Sequence, residues 1–298
     1  MSKIAGFSWD MVFIIVSHAD FWETVASGDY NKKDFITGDS MHTPTSTTHQ
    51  FKYQPEKNRR GIMYQYTKSN VDGSAPARVY IRMADEYVID VWKFESHNFD
   101  AAHVQARMNW DFFSAKQLDS WVVTSDGASR PQARMNVSFE EAVVTVQIQH
   151  MEGKTEIGHF PFHIYNFDFI SLNMSLPHWV NPESELSIGV VQPNFNPEIR
   201  SLLNYEGIAT LKFIGNEKRN GTPCRKYSLE GQWLNGQAGQ LWVSQTEGHI
   251  EDMEIPIPDN PDWDDFKFNL VSTQSMDDAQ WEQFISTEIK KLTPVDGE

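Results

Sequence analysis

Between residues 103 and 149 the chain alternates apolar and polar side chains with a period of two, segment after segment. Val104, Ala106, Met108 and Trp110 fall on one face, and His103, Gln105, Arg107 and Asn109 on the other. Ala133, Met135, Val137 and Phe139 alternate with Arg134, Asn136 and Ser138, and Val144, Val146 and Ile148 with Thr145, Gln147 and Gln149. Successive strand residues point to opposite faces, so this pattern specifies a sheet with one wet and one buried side. The segments follow one another too closely for crossover helices, which favours an antiparallel meander over βαβ units.

The same signal precedes and follows this stretch. Ile62, Tyr64 and Tyr66 alternate with polar neighbours, and residues 78–83 and 86–95 read as paired strands. Further strands are predicted near 186–191, 207–214, 224–231, 239–245, 249–255 and 266–272, with turns at Asn220-Gly221, Asn235-Gly236 and Glu247-Gly248. The predicted class is mainly β: an antiparallel meander curling into one or two barrel-like or half-barrel units, with short helices near each end. The first helix, 18–27, has Ser17 as N-cap, a Val16–Phe21 staple and Gly28 as its stop. The last, 276–292, starts at Ser275 and carries Trp281, Phe284, Ile285, Ile289 and Leu292 at helical spacing. Pro177, Pro182, Pro193 and Pro197 mark a soft boundary, giving units 1–175 and 176–298 or one continuous domain.

Charge narrows the partners. Lys and Arg number 25 against 41 Asp and Glu, a net charge of −16, which repels phosphate backbones and anionic headgroups. Neither nucleic acid nor membrane is expected as a partner; the densest basic runs, Lys57-Asn58-Arg59-Arg60 and Lys218-Arg219, read as solvated turns. One cysteine, Cys224, excludes an internal disulfide and reads as a small buried hydrophobe. The run Met11–Val16 is short and preceded by Asp10, so a cytoplasmic chain is expected, with export through a weak N-terminal signal as the alternative. No phosphate loop, His-Glu-x-x-His or Gly-x-Ser-x-Gly motif occurs, so neither cofactor nor metal is expected.

Three stretches carry candidate chemistry. The run His159–Ile170 holds five Phe or Tyr side chains with His159, His163 and Asp168 among them, and His178-Trp179 follow. His163 and Tyr165 share a strand face and could form an acid/base pair, the imidazole titrating near neutrality and the phenol donating to an oxyanion. Otherwise His159, Asp168, His178 and Trp179 line a ligand cavity, or the polar groups satisfy a crowded aromatic core. The strand 86–95 mixes charge and apolar residues on both faces: Ile89, Val91, Lys93 and Glu95 on one, Asp90, Trp92 and Phe94 on the other. A buried charge there is costly without a partner, so Trp92 and Lys93 are candidate ligand-lining residues; a twisted edge strand is the plainer reading. The acidic run Glu251–Asp265 lacks calcium-loop spacing and reads as a solvated surface segment.

At fold level this pattern resembles the lipocalin-type and lipoprotein-carrier β-barrels that enclose apolar ligands, an analogy of architecture without a matching motif. It implies a soluble protein holding a hydrophobic or aromatic small molecule in an aromatic-lined barrel cavity. The alternatives are a cofactor-independent isomerase, cyclase or hydrolase using His163 and Tyr165, and a structural or interaction domain with a filled core.

Overall fold

A computed structural model describes residues 43–95, 99–194 and 201–292. The N-terminal helix and weak signal expected before residue 29 lie outside the described residues. Strand β1 (Thr45–Ser46) and two single 3₁₀ turns (Thr48–Gln50, Pro55–Lys57) precede the meander. The meander runs through β2 (Ile62–Ser69), β3 (Ala77–Met83), β4 (Val88–Glu95), β5 (Asp100–Asn109), β6 (Ser114–Thr124), β7 (Ser129–Ser138), β8 (Val143–Ile148) and β9 (Met151–Glu156). The chain then leaves the sheet through β10 (His159–Phe160), β11 (Phe162–Ile164), helix α1 (Ile170–Ser175) and a 3₁₀ turn. A second meander follows: β12 (Leu186–Pro193), β13 (Leu203–Arg219), β14 (Thr222–Gly231), β15 (Ala238–Ser244), β16 (Ile250–Ile255) and β17 (Phe266–Ser275), closed by helix α2 (Asp278–Ile289).

β1 and β10 pair with each other in parallel, and the other strands form one sheet of 15 in the order β11-β12-β13-β14-β15-β16-β17-β2-β3-β4-β5-β6-β7-β8-β9. Every neighbouring pair is antiparallel except β11 with β12. The antiparallel meander and its curl are therefore as the alternation requires. Both meanders share this sheet, joined where β17 pairs with β2 (Asn269 opposite Thr67), so it runs unbroken across the soft boundary at 176.

The closed, lipocalin-type barrel is not what forms. The order has two ends, β9 and β11, and no ladder joins them among the described residues. The segment after β9 instead packs into the same apolar core as the inner face of the sheet. The edges nevertheless approach. A Cβ at Gly153 of β9 would lie 2.7 Å from Leu202 Cβ, just before β13, and one at Gly158 would lie 2.9 Å from the Tyr205 ring.

The concave face and the segment 157–179 form one continuous apolar core, from Tyr66, Val79, Val91 and Val104 through Phe162, Phe169 and Leu172 to Leu229, Met253 and Phe268. A smaller core lies on the convex side, where Trp281, Ile285 and Leu292 of the α2 region meet Met63, Tyr80 and Phe94. Strand β4 is thus covered on both faces, which is why both of its faces carry apolar residues. Helix α2 forms close to the predicted span, but its N-cap is Asp277 and not Ser275: Asp277 Oδ1 accepts from Gln280 N (2.8 Å) and Gln280 Oε1 accepts from Asp277 N (2.9 Å). Cys224 is buried, and burial pushes its thiol up to about 11.

Candidate functional site

The run 159–170 is not one strand. Two short pieces flank Pro161, then Asp168 and Phe169 both take left-handed backbone (φ 51°) and turn the chain into α1. This carries the segment into the curled sheet, where polar side chains fix it. His159 is held at Nδ1 by Thr45 Oγ1 (2.6 Å) and lies near Thr47 Oγ1 and Ser187 O through Nε2. His163 Nδ1 lies 2.9 Å from Ser171 Oγ. Tyr165 donates to Ile257 O (2.5 Å). Asn173 donates to Tyr66 Oη (2.9 Å) and accepts from Ile250 N (2.7 Å). His178 Nε2 lies 2.9 Å from Asn58 Oδ1.

The cavity expected beside this run is filled. A void able to hold even one water leaves accessible area on the side chains around it. His163, Tyr165, Phe167, Asp168, Phe169 and Ile170 are each 0% exposed. Burial lowers the His163 imidazole to about 3 and that of His178 to about 4, and it raises the Tyr165 phenol far above its ordinary value. His163 and Tyr165 therefore sit dry and neutral, each bonded to a different neighbour.

Lys93 explains the mixed faces of β4. It points inward, and its Nζ meets Asp168 Oδ2 at 2.5 Å. Lys68 of β2 lies 3.2 Å from Asp168 Oδ1 and 2.6 Å from Asp259 Oδ2, under the Trp263 ring at 4.1 Å. Glu95 completes a buried set of two ammonium groups and three carboxylates. Burial lowers Lys93 to about 8, against the pull of Asp168. Burial raises Glu95 to about 7 and Asp259 to about 6, in both cases against Lys68. At Asp168 burial also acts upward, but Lys68 and Lys93 together outweigh it and hold the carboxyl below its usual range. The acidic run 251–265 is consequently not a solvated loop. Asp259 is 0% exposed, and Glu251 and Asp252 are buried beside His249 and Arg219.

Of the sequence-predicted lining residues, Trp92 and Trp179 border open grooves, and they border different ones. Trp92 lines a groove of about 460 Å³ between the convex face of β3–β6 and helix α2, with Trp281, Ile285 and Ile289 across from it. Polar groups converge there on Asp90. Its Oδ1 lies 2.6 Å from His103 Nε2 and accepts from Gln105 (3.3 Å), and its Oδ2 accepts from Trp281 Nε1 (2.9 Å). Burial would raise this carboxyl, but the hydrogen bond and charge of His103 and the donors of Trp281 and Gln105 hold it below its usual value. Cross-strand register places Trp92 opposite His103 and His103 opposite Trp121. The imidazole is stacked between the two indoles, with centroids at 4.3 and 5.1 Å. Alternation alone puts His103 on the outer face, and only the strand pairing singles it out.

No protein-family model and no curated protein matches the chain. Solved structures share a distant likeness. A structure of MucB is 9% identical with a TM-score of 0.26, over 74% of this chain and 54% of that one, and the Pseudomonas aeruginosa MucA/MucB complex is 10% identical with a TM-score of 0.25, over 73% and 52%. This chain thus spans about half the length of MucB. A putative outer membrane lipoprotein-sorting protein domain from Vibrio parahaemolyticus is 8% identical with a TM-score of 0.29, over 79% of this chain and 94% of that one. A DUF1329 family protein from Desulfovibrio piger is 10% identical with a TM-score of 0.28, over 77% and 93%. Likeness at this level says nothing about ligands.

Proposed function

We propose that this protein holds a small hydrophobic or aromatic molecule in the groove between the outer sheet face and α2. One observation carries the reading: a groove of about 460 Å³ with Trp92, Trp281, Ile285 and Ile289 as walls and Asp90, His103 and Gln105 as its polar floor. Ligand sites of this size, mostly apolar with a few convergent polar groups, are common in proteins. His159, His163, Tyr165, Asp168 and Lys93 serve in this reading as anchors of the internal segment. Among the described residues no helix is long and apolar enough to cross a membrane.

Calorimetric titration with 2-naphthol, a neutral aromatic probe, tests the proposal. Trp92→Ala and Ile285→Ala should each weaken binding about ten-fold or more, as expected when a large apolar contact is lost. Wild-type affinity in both variants would rule the groove out and leave a structural domain with a filled core.

The Asp90–His103 pair favours a second reading, a cofactor-independent enzyme acting at the same groove. A carboxylate that orients an imidazole on the wall of a cleft is the arrangement of a general base. Proton abstraction from 5-nitrobenzisoxazole is the assay. Acceleration that disappears in His103→Ala while 2-naphthol still binds supports the enzyme. No acceleration over buffer by the wild type counts against it.

A further inference from the structure

The second groove, about 390 Å³, is separate from the first and has different chemistry. It lies where the 3₁₀ turn Pro55–Lys57, the segment after α1, the ends of β14 and β15 and the turn 245–248 converge. Its apolar walls include Trp179, Val180 and Pro182, with the wholly buried Tyr227 behind them. The Trp179 and Tyr227 rings pack with centroids 5.5 Å apart, and Tyr227 is locked by donation to Pro182 O (2.6 Å). The turn is pressed on the other side. A Cβ at Gly248, which has φ +79°, would lie 2.8 Å from Pro177 Cα.

Charge distinguishes this groove. Lys57, Arg59 and Arg225 line it, against Glu56 and Glu247. Arg59 and Glu247 neutralise one another at 2.5 Å. Among the described residues Lys57 Nζ donates only to a carbonyl, Pro177 O (2.7 Å), and Arg225 Nη1 reaches only Gln245 O at 3.5 Å. No salt bridge among the described residues engages either cation. In a chain of net charge −16, two cations without carboxylate partners on an aromatic-walled groove form a local site of opposite sign. The run Lys57–Arg60, which reads from sequence as a solvated turn, contributes to it.

We infer that this groove binds an amphiphilic monoanion: a flat apolar body against Trp179, Val180 and Pro182, and a carboxylate or similar head held by Lys57 and Arg225. A charge-assisted hydrogen bond supplies the affinity that the neutral analogue lacks. The inference goes beyond the groove of the preceding proposal and does not depend on it.

The experiment compares 1-naphthoate with 1-naphthalenemethanol, its neutral near-isostere, by calorimetry on the full chain. Wild type should bind the anion about ten-fold or more tighter than the alcohol, with an advantage that shrinks in added salt. Lys57→Gln with Arg225→Gln should erase that advantage and leave alcohol binding unchanged. Lys57 is exposed and Arg225 half-buried, and unchanged far-UV circular dichroism verifies the fold; should it change, the two single variants, each losing part of the advantage, replace the double. Trp92→Ala should leave naphthoate binding intact. Equal affinity for acid and alcohol, insensitivity to the paired substitution, or loss of naphthoate binding in Trp92→Ala would overturn the inference, the last by placing the anion in the other groove.

Discussion

Lys93 illustrates what one position can reveal. A lysine at the centre of an apolar strand signals from sequence alone that a carboxylate must meet it, because an unpaired buried charge is too costly. Which carboxylate cannot be read there, since Asp168 reaches it only after the chain has left the sheet and doubled back. The cluster makes two predictions. Asp168→Asn strands Lys93 and Lys68 without their shared partner, and should cost about 3–5 kcal/mol in urea unfolding. Glu95 titrates near 7 in the folded protein, against an ordinary value of 4.5. The folded state therefore binds the proton more tightly, and Glu95 contributes stability that is fully present below 4.5 and lost as pH rises through 7. Asp259, also raised, acts in the same direction at lower pH. Glu95→Gln should gain on wild type between pH 5 and pH 8 in paired urea titrations; a constant difference across that window would refute the assignment.

Elements differ in how far their own residues announce them. Most meander strands and α2 follow from periodicity, because each presents one apolar stripe to the core; β2–β4, which face both cores, are the exception. The stretch from His159 to Ser175 does not: its rings are apolar on every side, so neither period two nor period 3.6 emerges, and the left-handed turn at Asp168 and Phe169 has no glycine to mark it. Those side chains meet the sheet on all sides, and a segment enclosed in this way has no outer face to pattern. Capping is another local matter, and there Asp277 prevails over Ser275 because only it has Gln280 three residues on. Asp277→Ala should lower stability by about 1 kcal/mol in thermal or urea unfolding, with no change in groove binding if α2 stays docked.

At the level of the molecule, periodicity conveys the sheet but not its closure. Whether a curled sheet is hollow or occupied depends on where the residues between β9 and β12 go, and that is a question of volume rather than pattern. Gly189 of β12 records the result: a Cβ there would lie 2.7 Å from His159 O and 3.1 Å from Phe162 Cβ. Backbone on the other side cannot yield as a flexible side chain would, so Gly189→Ala should destabilise by about 1–3 kcal/mol. An unchanged urea midpoint would mean that the inner segment is less tightly seated than described.

The seam between β2 and β17 joins strands that lie far apart along the chain. During synthesis β3 onward can pair as each strand emerges, yet one flank of β2 has no partner until β17 has been made. A bare flank of this kind recruits foreign strands. A nascent chain stalled before residue 266 would thus be a natural client for chaperones, and the emergence of β17 is the moment that need ends.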